Sequence, residues 1–165
     1  MELQWPLILF TTLVAWSAGT FGTQGILALR GGARRSQAAL VVVSAALLAL
    51  SGIAVFFHLE HWERIFNGFG HITSGITQEL IGCVALAIVI VAWFVVLRGG
   101  KPVPKALAWA TLAVAVLMMV ATAHSYLMAA IPAWSWALVV FYLGNALMMG
   151  PVVLWGIAAI KRDQE

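Results

Sequence analysis

Charge is what this sequence has least of. Of its 165 residues, nine are Lys or Arg and six are Asp or Glu, so charged residues make up 9%, against roughly 25% in an ordinary soluble domain. That scarcity excludes a nucleic-acid-binding module, which needs a basic face, and a disordered tail, which needs a polar composition. Cysteine is nearly absent as well. Cys83 stands alone, which excludes an intramolecular disulfide, a cysteine metal cluster and a haem-attachment motif. Alternation of polar and apolar residues is also missing, and with it the pattern of a β-barrel. What is present in excess is apolar: 63% of residues are hydrophobic and the mean hydropathy is +1.01. A soluble fold of this size cannot hide so much apolar surface, because more than half of a folded chain's surface atoms stay apolar and accessible. The expected fold class is all-α, a polytopic transmembrane helical bundle.

A membrane span needs roughly 20 apolar residues at 1.5 Å rise each. Five stretches qualify, at about residues 5–29, 38–58, 76–97, 106–130 and 136–160, and they form a single membrane domain over residues 1–165. Residues 30–37 link the first two. Residues 59–75 form the longest connection, at 17 residues. The run Gly99-Gly100-Lys101-Pro102-Val103-Pro104 breaks the chain before the fourth span, and Pro132 breaks it before the fifth. No repeat, soluble domain or low-complexity tract is visible.

The nine basic residues divide unevenly between the two sides. Arg30, Arg34, Arg35, Arg98, Lys101, Lys105, Lys161 and Arg162 fall on one side, and Arg64 alone falls on the other. Eight against one in short loops places the N-terminus outside and the C-terminus in the cytoplasm. A cytoplasmic (inner) membrane location follows. The first span lacks a basic leader and is too long for a signal core, so it is expected to be a retained helix. Trp5, Trp62, Trp134 and Trp136 sit near the outer boundary, as an interfacial belt predicts.

Ionisable groups inside hydrocarbon are costly, so each is a functional candidate. Glu79 lies about one turn inside the third span, His58 ends the second, and His124 lies six residues before Ala130. All three fall in the outer leaflet. Each has a plainer reading beside the functional one. Glu79 can snorkel to the headgroups or pair with Arg64, His58 can be an interfacial ring, and His124 can be a buried histidine bonded to a carbonyl. Glu60, His61, Glu63 and Arg64 read as a solvated or docking surface. Asn145 reads as interhelical glue, and Ala15, Ala18, Gly19, Gly22 and Thr23 as a small-residue packing face. Met118, Met119, Met148 and Met149 read first as core filling.

A carboxylate beside a histidine at the outer edge suits quinol oxidation, in which two protons and two electrons leave the substrate. A partly desolvated carboxyl can accept a proton near neutral pH, and a histidine can hold a hydroxyl and relay the proton outward. Two other readings stay open. His58 and His124 could be the axial ligands of a b-type haem. The chain could also be a non-redox membrane protein such as a small transporter or an assembly factor, though no deep charge or mid-span helix break favours transport.

Several motifs bear a family likeness. The opening Glu2-Leu3-Gln4-Trp5-Pro6-Leu7, with Leu9-Phe10-Thr11, is one. A second is His58-Leu59, then Arg64, Phe66, Asn67 and Ser74, ending at the helical Glu79. A third is Tyr126 with Ile131-Pro132-Ala133-Trp134, and a fourth is Gly150-Pro151. In these the chain resembles the membrane-anchor subunit of dimethyl sulfoxide reductase-type molybdoenzymes. The resemblance covers essentially the whole chain but only the first half or slightly more of that family's usual eight spans. Glu60, His61 and Trp62 replace a glycine and proline common after the His-Leu pair, and His124 stands where an arginine is expected.

The resemblance implies an all-helical anchor that starts outside and binds and oxidises menaquinol. His58 and Glu79 match the positions used for that chemistry. Arg64, Ser74, His124 and Tyr126 are the further quinol-binding candidates. It implies no metal centre in this chain. It implies an iron–sulfur ferredoxin-type subunit and a molybdopterin catalytic subunit docked on the outer face as partners, with no nucleic acid.

Overall fold

The computed structural model describes residues 4–32, 34–59, 61–127 and 135–162, with only the backbone of Trp62, Glu63 and Arg64. The chain forms α1 (Trp5–Arg30), α2 (Gln37–Phe56), a 3₁₀ helix (Trp62–Gly70), α3 (Gly75–Arg98), α4 (Lys105–Ser125) and α5 (Trp136–Lys161). No strand occurs among the described residues. All five α-helices are long and apolar enough to cross a membrane.

The helix ends follow from local chemistry. Pro6 starts α1, where its missing N–H costs nothing. Gly31 ends it at φ 76°, with its N–H bonded to the Ala28 carbonyl, while the Gly32 N–H reaches the Leu27 carbonyl. Gly100, at φ 64°, turns the chain after α3, and Pro104 precedes α4. Ser135 caps α5 by accepting the Ala137 N–H at 3.3 Å. The fourth helix differs from expectation. It stops at Ser125 rather than running to Ala130, because Tyr126 turns the chain and packs its ring against Tyr142 at 5.8 Å. Residues 128–130 and the motif Ile131-Pro132-Ala133-Trp134 lie outside the described residues.

α1 is the hub. It packs most extensively against α2 and α5, then α4, while α3 packs mainly on α4. Lipid offers apolar groups the same environment as a helix partner does, so close packing and hydrogen bonds hold such a bundle together. The small face of α1 supplies the packing. A Cβ on Gly19 would collide with the Ala146 backbone, and one on Gly150 would collide with Gly19 and Thr23, so α1 and α5 meet backbone to backbone. A Cβ on Gly22 would only touch the Ala115 methyl, at 3.4 Å, so that approach to α4 is close but not backbone to backbone.

The hydrogen bonds are as specific. The Ser17 hydroxyl donates to the Ser44 carbonyl at 2.8 Å and the Gln24 amide to the Gln37 carbonyl at 2.9 Å, stitching α1 to α2. The Trp16 indole N–H donates to the Asn145 side-chain oxygen at 3.0 Å, joining α1 to α5. Trp93 donates to Thr111 at 2.7 Å and meets Phe21 edge-on at 5.7 Å in the centre of the bundle. Met118 and Met119 are buried in that core, while Met148 faces outward.

Candidate functional site

The site is assembled at the end of the bundle where α1 begins, α2 ends and α3 begins. Two contacts fix that corner. Gly75, first residue of α3, lies so close to Ser125 that a Cβ would collide with it, which pins α3 to the end of α4. The Thr77 hydroxyl donates to the Gly68 carbonyl at 2.9 Å, tying α3 to the 3₁₀ helix that precedes it. Long 3₁₀ stretches are uncommon, and this one is held by that contact and by stacking of Phe66 on Phe69 at 6.4 Å.

Beneath the 3₁₀ helix lies a cavity of about 240 Å³. Phe10 comes from α1, Val55 and Phe56 from α2, Ile65 and Phe66 from the 3₁₀ helix, and Ile76, Glu79, Leu80 and Cys83 from α3. The spacing 76, 79, 80, 83 is one face of a helix. Glu79 is the sole charged residue in this lining among the described residues. It is 6% exposed, and its Oε1 has no hydrogen-bond partner among the described residues. A buried carboxyl oxygen without a donor is a costly arrangement, and it is presented to an otherwise apolar wall.

The other candidates are distributed around this point. His58 is exposed in the turn after α2 and does not line the cavity, although its neighbours Phe56 and Leu59 do. Ser74 is the residue that caps α3 and is half-buried, one turn before Glu79. Tyr126 is buried against Tyr142. Its phenol is pushed above its ordinary range, first by burial and then by the charge of Glu79, so it remains an O–H donor and lies within electrostatic reach of the carboxyl. His124 is exposed in the last turn of α4 and faces a separate groove with Gln78, Gly82 and Met118. His58 and His124 thus line no common cavity among the described pockets. The side chain of Arg64 and all of Glu60 lie outside the described residues.

Val55, Phe56 and Ile65 were not singled out by sequence. Phe10 entered only as part of the opening motif and Cys83 only as the lone cysteine, although Cys83 stands one turn after Glu79 on the same face. The others had no signal, because which face of α2 and of the connection turns towards α3 is a tertiary matter.

The arrangement suits a flat apolar ring with a polar hydroxyl. The cavity is smaller than the about 300–1,000 Å³ that holds a whole ligand, so its volume has room for a single ring rather than a whole long-tailed molecule. Comparison with curated proteins and with solved structures returns no match. The sequence model of the family described as DMSO reductase anchor subunit (DmsC) matches residues 1–165, the whole length, and the chain belongs to that family.

Proposed function

We propose that the chain binds a quinol in the cavity beside Glu79, oxidises it, and passes its electrons to an iron–sulfur subunit. As a membrane-anchor subunit of a DMSO reductase-type complex it works with catalytic and electron-transfer subunits in other chains. One observation carries the reading: Glu79, whose Oε1 is buried and without a donor among the described residues, lines an apolar cavity of about 240 Å³. A quinol hydroxyl is the donor that oxygen lacks, and the aromatic and aliphatic walls accept the ring.

The chemistry balances as follows. Quinol becomes quinone with loss of two protons and two electrons. Glu79, as carboxylate, accepts the hydrogen bond and then the proton of one hydroxyl. His58, in the turn beyond Phe56, relays protons from the site to water, its exposure fitting that task. Tyr126, whose phenol is pushed upward by burial and then by the nearby Glu79, holds its phenol proton. Ser74 and Arg64 are assigned to the surrounding polar shell, whereas His124 faces a separate groove and has no part in it. The two electrons go to a ferredoxin-type iron–sulfur subunit and on to a molybdopterin subunit. The quinol is menaquinol. The uneven division of Lys and Arg puts this end of the bundle on the outer face of the cytoplasmic membrane. Protons released and consumed on that same face move no net charge across the bilayer.

Glu79→Gln keeps shape and hydrogen-bonding capacity but cannot take the proton. In the assembled complex it is expected to reduce quinol-dependent turnover by about 10²–10⁴-fold, with unchanged amounts of all subunits and unchanged activity with an artificial electron donor that bypasses the quinol. Wild-type quinol turnover in this variant would remove Glu79 as the proton acceptor.

A further inference from the structure

A second cavity, of about 440 Å³, opens at the opposite end of the bundle, between the α1–α2 turn and the α3–α4 turn. Arg34 enters it from the first turn and Lys101 from the second. Two cations from separate connections therefore line one space, and none of the described residues lining it is acidic. Neutral walls and like charges leave that space attractive to an anion.

The cavity is built rather than incidental. Its rims are the two left-handed glycines, Gly31 at φ 76° and Gly100 at φ 64°, and a Cβ at either would meet only open space. Its floor includes Gln37, buried in the first turn of α2. The Gln37 side-chain amide donates to the Gly32 carbonyl at 3.3 Å, and the Gln24 amide donates to the Gln37 carbonyl, so the floor is tied to both α1 and the turn. The C-terminal ends of α1 and α3 point here and would repel an anion, but each carries an arginine in its last turn, Arg30 and Arg98, that offsets the helix dipole.

The remaining wall is apolar: Ala28, Leu97 and Val103. A polar rim of two cations above an apolar wall, at the level where the spans end, matches an amphipathic anion. We propose that this cavity holds the phosphate of an anionic phospholipid between Arg34 and Lys101, with its acyl chains against Ala28, Leu97 and Val103. Basic pockets between membrane helices at the positive face take such headgroups. The level of the site and the apolar wall favour a lipid phosphate over free phosphate. The site is remote from Glu79 and does not depend on the quinol reading.

Native mass spectrometry of the full complex, released from nanodiscs of phosphatidylglycerol and phosphatidylcholine, tests it. The wild type is expected to retain phosphatidylglycerol in preference to phosphatidylcholine. Arg34→Gln with Lys101→Gln is expected to weaken that retention about thirtyfold. Lys161→Gln with Arg162→Gln removes the same charge from the end of α5, outside the cavity, and is expected to leave retention unchanged. Equal loss in both pairs would reduce the effect to surface charge and overturn the site. So would equal retention of the two lipids, or displacement of phosphatidylglycerol by millimolar inorganic phosphate, which would mark a free-anion site. Val103→Trp keeps both cations and fills the wall. It is expected to displace the lipid, and full retention in that variant also overturns the proposal.

Discussion

The two ends of the bundle handle polarity in opposite ways. At the Glu79 end one acid is buried among the described residues, lacks a donor there at Oε1, and lines an apolar cavity. At the opposite end the charges, Arg34 and Lys101, stay exposed at the rim. Among the buried polar groups nearer that end are two amides, Gln24 and Gln37, whose donors are bonded to carbonyls. Some neutral acceptors in the bundle are also unfilled, namely Thr20 Oγ1, Ser44 Oγ, Thr122 Oγ1 and Gln24 Oε1. An unfilled neutral acceptor costs far less than an ionisable one. The difference separates three uses of polarity in one small membrane protein: an ionisable group left open for chemistry, amides spent on packing, and surface cations that set location and attract anions.

Exchanging the two kinds of group would test that comparison most severely. Glu79→Gln is expected to remove quinol turnover by the factor given above while leaving thermal stability in detergent equal or higher, because a costly buried acid has gone. Gln24→Glu does the reverse. It sets a buried acid, without a partner cation, in the C-terminal half of α1, and is expected to destabilise the protein by up to about 2.5–3.5 kcal/mol, with normal quinol turnover in the molecules that fold. Thermal unfolding followed by tryptophan fluorescence, beside turnover per assembled complex, separates the two. If Gln24→Glu lowered turnover as strongly as Glu79→Gln, the division between chemical and architectural groups would fail.

The next effect concerns the packing both ends share. Gly19 lies where α1 and α5 meet backbone to backbone. Gly19→Val is expected to force the helices apart at a cost of about 1–3 kcal/mol, read as a lower melting temperature and a lower yield of complex. Gly144 faces open space, so Gly144→Ala on the same helix pair is expected to be tolerated. Equal loss in both variants would show that helix propensity, not the close approach, matters.

How much of this was legible in the sequence depends on whether the cause is local. The apolar runs, the glycine after Arg30, the prolines around Val103 and the serine before Trp136 mark the helices, since length and capping are written in neighbouring residues. Asn145 as interhelical glue and the small face around Gly19 were legible because few other roles exist for them in a span. The 3₁₀ helix over the cavity was not, because its hold is the long-range bond from Thr77 to Gly68. The early end of α4 was hidden too: composition stays apolar to Ala130, and Tyr126 turns away only because Tyr142 is there to receive it. His58 and Glu79 look alike in sequence, as ionisable groups near span ends. Tertiary packing makes one exposed and the other buried.

A smaller effect distinguishes ring binding from proton transfer within the Glu79 end. Phe66 lines the cavity from the 3₁₀ helix, yet it is 72% exposed and carries no titratable group of its own. Phe66→Ala is expected to raise the KM for quinol about tenfold through lost ring contact, with kcat unchanged. A fall in kcat with KM unchanged would mean that the 3₁₀ helix acts on the chemistry rather than on binding.

The smallest expected effect lies away from both cavities and calibrates the others. Asn145 accepts the Trp16 indole N–H at 3.0 Å, and the bond joins the hub helix to α5. Interhelical hydrogen bonds in membranes average only about 0.6 kcal/mol, because the separated helices find other partners. Asn145→Leu removes the acceptor but fills the volume with an apolar group suited to lipid, so its melting temperature is expected to fall slightly and its quinol turnover to stay at the wild-type level. Trp16→Phe removes the donor from the other side. If the bond is the shared cause, the double variant loses no more than either single one. Strict additivity in that cycle would instead assign the two losses to separate packing defects and leave the backbone contact at Gly19 as the main tie between α1 and α5.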